Sequence, residues 1–306
     1  MNAVDSLSSP RRGWLSERRT VSQQTDQLFP GKQFISTVLE TLDTKTRMSG
    51  DVLRVYLMRA AMAGIIIGIF YATNYAIVAA FEQVSTGTST LMPIGRIVGA
   101  IAFGFALAFI YYTKSELLTS NMMITSIGAY HHRIGWTKAG RLMFFCYIGN
   151  FVGGLFVALL LSVSSIIDGP VLEEMEHSVE TKLGYVTEGA AGWGDLFVRA
   201  ILCNFMINLA MLLVYNGLIK EDITKVIMMV VAVFIFAFLG FEHSVANTVL
   251  FSIVGLQDGI AIGPALGNIA IALAGNFVGG GLLIGVYYAY VNDEARYRRA
   301  HPEVVD

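Results

Sequence analysis

Glu116-Leu117-Leu118-Thr119-Ser120-Asn121 and Glu242-His243-Ser244-Val245-Ala246-Asn247 decide how this chain folds. Each sets a carboxylate and an amide five positions apart inside a long apolar run, where polar groups are expensive and mark function. A second pair of strings recurs at the same interval. Gly149-Asn150-Phe151-Val152-Gly153-Gly154 repeats residue for residue as Gly275-Asn276-Phe277-Val278-Gly279-Gly280. The interval is 126 residues each time (242 − 116, 247 − 121 and 275 − 149). One shared offset implies an internal duplication, and polar groups at matching depths of two spans imply a transport path.

The composition places these strings in a membrane. Hydrophobic residues make up 55% of the chain and charged residues 14%, and mean hydropathy is +0.60, which excludes an ordinary soluble core. Six apolar spans of the length a bilayer requires are expected: Tyr56 to Phe81, Ile94 to Tyr130, Leu142 to Ile167, Leu196 to Leu218, Val226 to Leu256 and Ile262 to Tyr290. The second and fifth are broken at Thr113–Asn121 and Gly240–Asn247. The first run starts too late, after too polar a segment, for a cleaved signal peptide, so it is read as an anchor. Cys146 and Cys203 sit in apolar runs and imply neither a disulfide framework nor a metal site.

Lys and Arg orient the spans. Nine lie between Arg11 and Arg59, followed by Arg133, Lys138 and Arg141, then Lys220 and Lys225, and finally Arg296, Arg298 and Arg299. The opposite loops are nearly bare apart from Arg96 and Lys182. Both termini and the two basic loops are therefore expected in the cytoplasm, with the chain multi-pass in the inner membrane. A three-span unit repeated once inserts its second copy upside down, the inverted-repeat plan of many transporters. The expected fold is all-α and integral to the membrane. Residues 1–55 form a cytoplasmic N-terminal segment, 56–292 a six-span channel domain with repeats near 56–167 and 196–290, and 293–306 a cytoplasmic tail.

Residues 1–25, rich in Ser, Arg, Gln and Thr, read as disordered. Phe34, Val38, Leu39 and Leu42 have helical spacing, so residues 33–47 are read as a short surface helix, or as a gate. The outer loop from Asp168 to Asp195 carries Glu173, Glu174, Glu176, Glu180 and Glu188 and reads as a solvated acidic face.

A helix broken in hydrocarbon frees backbone groups that must find partners inside the protein. Glu116 and Glu242 precede the second half-helices, where a carboxylate can accept orphan N–H groups and meet the positive helix end. Break-capping is the expected role of both, with proton relay as the rival. Asn121, Asn247, Asn150 and Asn276 are expected to tie the breaks to neighbouring spans, and the Gly149/Gly153 and Gly275/Gly279 pairs to let helices approach. His243 breaks the symmetry, because Leu117 occupies its counterpart position. An imidazole beside an acid in a break reads as functional. Thr119, opposite Val245, is the converse asymmetry, and the two side chains are expected to form one polar spot.

Ser115-Glu-Leu-Leu-Thr-Ser-Asn121, Leu202-Cys-Asn204, Gly240-Phe-Glu-His-Ser-Val-Ala-Asn247 and Gly275-Asn-Phe-Val-Gly-Gly280 carry a resemblance to the formate–nitrite transporter family, over about residues 30–292. Their order and spacing look like those of a formate channel. The resemblance implies a homopentamer of aquaporin-like protomers, each with its own pore. It implies that His243 and Thr119 line a central chamber near Asn204, that Phe103 and Phe236 form the outer constriction, and that Leu107, Leu118 and Ile207 form the inner one. Many members carry a vestibule lysine sixteen residues before the Asn of Leu-Cys-Asn; here Glu188 stands there. Lys182 is read as remaining in the acidic loop, away from the pore mouth.

Moving a bare anion through an apolar slit carries a Born-type cost on the order of 20 kcal/mol. Neutralising a weak acid of pKa ~4 at pH 7 costs roughly 4 kcal/mol, so passage as the neutral acid is cheaper unless the slits hydrate or flex. A histidine at the site serves either route, by donating a proton or by lending transient positive charge. The expected function is bidirectional, pH-dependent passage of formate or a similar small weak-acid anion, with nitrite, hydrosulfide, acetate or lactate as the variants. The expected partners are that anion, membrane lipid and further copies of the chain; no nucleic acid, cofactor, metal or catalytic residue is expected. The absence of an Asn-Pro-Ala string argues against a neutral-solute channel of the aquaporin type. The absence of Gly-x-Ser-x-Gly and His-Glu-x-x-His argues against an intramembrane enzyme.

Overall fold

A computed structural model describes residues 27–87 and 89–300; the disorder read into residues 1–25 lies outside them. The described chain is helical apart from a two-strand hairpin, β1 (Ser85–Thr86) and β2 (Ser89–Thr90). An N-terminal helix, α1 (Lys32–Asp51), leads into α2 (Leu53–Glu82) and, after the hairpin, α3 (Met92–Tyr112). Then follow α4 (Leu118–Tyr130), α5 (Trp136–Ser162), α6 (Pro170–Thr187), α7 (Ala190–Tyr215), α8 (Asp222–Phe238) and α9 (Ser244–Gln257). The last long helix starts as α10 (Ile262–Asn276), widens into a π-helix over Phe277–Val286 and closes as α11 (Tyr287–Val291), before a short α12 (Glu294–Ala300). Five helices among the described residues are long and apolar enough to cross a membrane, and α9 is a shorter apolar one. Such helices present apolar side chains all round, as lipid on one side and protein on the other demand.

The two breaks are built alike, bond for bond. Helices α3 and α8 end with a residue in left-handed backbone, Lys114 at φ +56° and Gly240 at φ +66°. The next N–H reaches back to the helix in a Schellman-type closure, Ser115 to the Ile110 carbonyl at 3.0 Å and Phe241 to the Phe236 carbonyl at 2.9 Å. Glu116 N–H then donates to the Arg59 carbonyl, and Glu242 N–H to that of Arg199. Leu117 and His243 are extended and open the second half-helices.

The orphan N–H groups are not taken by the carboxylates, which corrects the capping role expected of Glu116 and Glu242. Asn150 Oδ1 accepts from Leu118 N–H at 3.0 Å, and Asn276 Oδ1 from Ser244 N–H at 2.9 Å. The same amides donate onward, Asn150 Nδ2 to the carbonyls of Ala60 and Glu116 and Asn276 Nδ2 to those of Ala200 and Glu242. One side chain thus pairs two backbone groups of the break and ties it to a carbonyl of the adjacent helix, α2 or α7. The glutamates point away because the residue between each and its half-helix is extended. Asn121 and Asn247 instead hold the glutamates, donating to Glu116 at 3.2 Å and to Glu242 at 2.5 Å.

The glycines seat the asparagine-bearing helices. A Cβ at Gly153 would lie 1.8 Å from the Ala61 carbonyl oxygen, and one at Gly279 2.1 Å from that of Ile201. Helix α5 therefore packs directly on α2, and the π-segment on α7. The π-segment itself was not legible as anything but helix. The acidic segment between Asp168 and Asp195 is another difference: residues 170–187 are helical, with Met175, Val179 and Lys182 buried. Acids on one face and apolar residues at i, i+4 make it amphipathic, so it packs instead of floating free. The third span ends sooner than expected, at Ser162, with a single 3₁₀ turn over Ser165–Ile167.

Gly240→Ala forces an L residue into left-handed backbone, at about 1–2 kcal/mol, and is expected to lower the thermal midpoint of the purified protein. Asn276→Ala leaves the Ser244 N–H and the Glu242 carbonyl of the break without the amide that pairs them and is expected to cost roughly 2 kcal/mol or more. Thermal unfolding in detergent, beside surface substitutions as controls, measures both.

Candidate transport site

The half-helices α4 and α9 bring Thr119 and His243 together, with Thr119 Oγ1 3.2 Å from His243 Nε2. Thr119 is fully buried and His243 is 5% exposed. The imidazole caps α9, because Nδ1 accepts from Ala246 N–H at 3.0 Å. With Nδ1 acting as acceptor, the neutral ring carries its proton on Nε2 and donates to the Thr119 hydroxyl. The carbonyl of Thr119 is held in turn by Asn204 Nδ2 at 3.2 Å and Asn208 Nδ2 at 3.1 Å. Asn204 also donates to the Asn276 carbonyl at 2.7 Å, so its amide is engaged with backbone. Asn208 was not singled out in the sequence; its i+4 spacing from Asn204 on an apolar helix was the available signal.

Apolar side chains close this spot on both sides. Phe103 and Phe236 meet edge to face, their ring centroids 6.0 Å apart, and Phe236 stacks on the imidazole at 6.0 Å. His243, Phe103, Phe236, Leu107, Leu117 and Ile207 are among the residues lining a cavity of only about 20 Å³. Leu118 is not among them. It is buried with its N–H on Asn150, and Leu117, one residue earlier, lines the chamber. The half-helix begins at Leu118, so the extended residue before it is the one turned toward the path.

Beyond the apolar closures lie two larger cavities of about 250 Å³ each. The one against α6, which we term outer and its counterpart against α1 inner, is lined by Phe103, Phe236 and His243 at its base and by Lys182, Arg199 and Glu174 above. The inner one is lined by Leu107 and Leu117 and by Lys45, Arg59, Lys114 and Glu116. A lysine–glutamate pair sits in each, buried in the outer cavity and part-buried in the inner one. Lys182 Nζ lies 2.8 Å from Glu242, and Lys45 of α1 pairs with Glu116. Glu188, the expected vestibule position, ends α6 and is exposed. It is not among the residues lining the outer cavity. Lys182 is there instead, because the acidic segment is helical and its buried face turns inward. In the same cavity wall, burial and the neighbouring Glu82 carboxylate hold the Glu174 carboxyl above the ordinary range. Among the described residues no group of three or more His, Cys, Asp or Glu side chains is placed to hold a metal ion.

The N-terminal helix is part of this geometry. Thr41, Thr44, Lys45 and Met48 of α1 line the inner cavity. The helix is tied to the rest of the protein by Arg133–Asp43 and Lys32–Glu294 ion pairs and by Gly31 N–H on Asn292 Oδ1 at 2.8 Å.

A family model described as formate/nitrite transporter matches residues 32–290. The formate channel FocA of Escherichia coli strain K12 is 30% identical over 230 residues, covering 67% of this chain and 77% of that protein. Among solved structures, an ion channel of the FNT family superposes with a TM-score of 0.70 at 23% identity, covering 84% of this chain and 98% of its own. A pentameric formate channel with formate bound gives 0.63 at 20% identity, covering 79% and 98%. These relatives are transport channels, not enzymes, and the likeness extends across the helices that carry both breaks. This multi-pass membrane protein belongs to the formate/nitrite transporter family.

Proposed function

We propose that the chain is a bidirectional, pH-dependent channel for formate and similar small monovalent weak-acid anions. The observation that carries this reading is the single polar spot, Thr119 and His243, closed off by apolar side chains between two cavities that each hold a lysine. The proposed architecture is six spans in two inverted three-span repeats, with α3–α4 and α8–α9 each counting as one broken span. Both termini then face the cytoplasm of a cell membrane. The solved pentameric relative supports assembly as a homopentamer with one path per protomer.

Each step has a physical basis. Lys182 on one side and Lys45 on the other draw an anion into the vestibules, although each is largely balanced by its glutamate. The apolar slits strip its water, which selects small anions of weak acids, because their neutral form is cheap to reach. At the centre the anion replaces Thr119 as the acceptor of His243 Nε2–H. A second proton on the ring would have to sit on Nδ1 and displace the Ala246 bond, so an imidazolium is coupled to loss of the helix cap. His243 therefore serves as hydrogen-bond donor in its resting form and as proton donor only with that local rearrangement. Nitrite is the second reading, favoured by the family description itself.

Formate flux into proteoliposomes is expected to rise as pH falls from 8 to 5, and His243→Phe to abolish either the flux or its pH dependence. Equal flux in both proteins would make His243 structural, and nitrite flux without formate flux would reassign the substrate. Glu174→Gln is expected to raise inward formate flux at pH 7 about two- to fivefold, the equivalent of ~0.5–1 kcal/mol of relieved repulsion. Because its raised carboxyl is neutralised as pH falls, that gain is expected to shrink toward pH 5, which the same assay reads.

A further inference from the structure

Helix α2 carries none of the repeated polar strings, yet one of its faces lines the path for two turns. Ile67 lines the small central cavity, and Tyr71 and Tyr75, at i+4 and i+8 on the same face, line the outer cavity. The Tyr71 ring lies nearly flat on Phe103, with centroids 4.9 Å apart and planes 26° apart. Its other neighbour is Tyr75, at 4.9 Å. Tyr75 is buried, and its hydroxyl pairs with Ser178 Oγ of α6 at 2.7 Å. A ladder of rings thus runs from the outer helix to the central imidazole: Tyr75, Tyr71, Phe103, Phe236, His243.

Phe103 is 4% exposed, with Phe236 on one side and Tyr71 on the other. To widen the outer slit, the Phe103 ring has to move away from Phe236, into the space that Tyr71 fills. Tyr71 is held in that space by Tyr75, which is pinned through Ser178. We infer that Tyr71 is a specificity-determining residue: its ring backs Phe103 and thereby limits the size of anion that passes the outer slit. The inference rests on the channel reading proposed above, in which Phe103 and Phe236 form that slit. Removing the ring leaves a void beside Phe103, and well-packed surroundings refill such voids only in part. The freed Phe103 then gives way to larger carboxylates such as acetate and lactate.

Proteoliposomes carrying wild type, Tyr71→Ala and Tyr71→Phe, each checked for assembly by size-exclusion chromatography, are assayed for formate and lactate uptake at one pH. Tyr71→Ala is expected to raise the lactate-to-formate rate ratio roughly tenfold, while Tyr71→Phe, which keeps the ring, stays within about twofold of wild type. An assembled, formate-conducting Tyr71→Ala with an unchanged ratio overturns the inference. So does an equal shift in Tyr71→Phe, which would assign the effect to the hydroxyl. If Tyr71→Ala fails to assemble, Tyr71→Leu takes its place with the same expected direction and the same overturning result. Wild-type liposomes that pass neither anion overturn the channel reading, and this inference with it; wild-type formate flux with no change in ratio overturns this inference alone.

Discussion

An amide side chain that repairs a broken helix is the interaction on which this structure depends. Hydrocarbon supplies no hydrogen-bond partners, so a span interrupted within it must find them in its own protein. Asn150 and Asn276 each accept from the first N–H of a half-helix and donate to two carbonyls of neighbouring segments. Their position depends on glycine. Without Gly153 and Gly279 the asparagine-bearing helices would stand too far from α2 and α7 for an amide to span the gap.

The breaks in turn make the site. An unbroken helix would bury its backbone amides in its own ladder and present only side chains to the path. A half-helix exposes an end, and at α9 that end is capped by the imidazole that also meets Thr119. The asparagine pair Asn204 and Asn208 fixes the other half of the contact by clamping the Thr119 carbonyl. Apart from His243, the lining of the small cavity is phenyl and aliphatic: Phe103, Phe236, Leu107, Leu117, Ile207 and their alanine, valine and isoleucine neighbours. A site with one polar contact between apolar walls discriminates by the cost of dehydration, because most of the water a solute sheds there is not replaced.

Charge is handled the same way on both sides of the centre. A lysine placed alone in either cavity would bear a large desolvation penalty; paired with a glutamate of the break it is tolerated, and still lines the cavity wall. The inner pair also recruits α1, since Lys45 is its contribution to the cavity wall. The amphipathic N-terminal segment is thereby part of the inner vestibule, and the amphipathic acidic segment is part of the outer one.

The duplication, the membrane class, the two breaks and the meeting of His243 with Thr119 were legible in sequence, because they rest on composition and on strings whose spacing survives any arrangement in space. The 126-residue offset even carries through to hydrogen bonds, as the closures at Ser115 and Phe241 show. What the sequence alone misplaced depends on which way a side chain turns. Counting back from Asn204 pointed to Glu188, but a helical α6 turns Lys182 inward and leaves Glu188 exposed. Leu118 and Leu117 are adjacent and chemically identical, and only the start of the half-helix decides which one faces the path. Carboxylates beside a helix start read as caps until the extended residue between them is seen to aim them at lysines. Tyr71 belongs to no repeated string at all. Its relation to Phe103 is a contact between separate helices, which no periodicity along the chain encodes. Local pattern therefore determined what kinds of groups this protein places in a membrane, and tertiary packing decided which of them face the path.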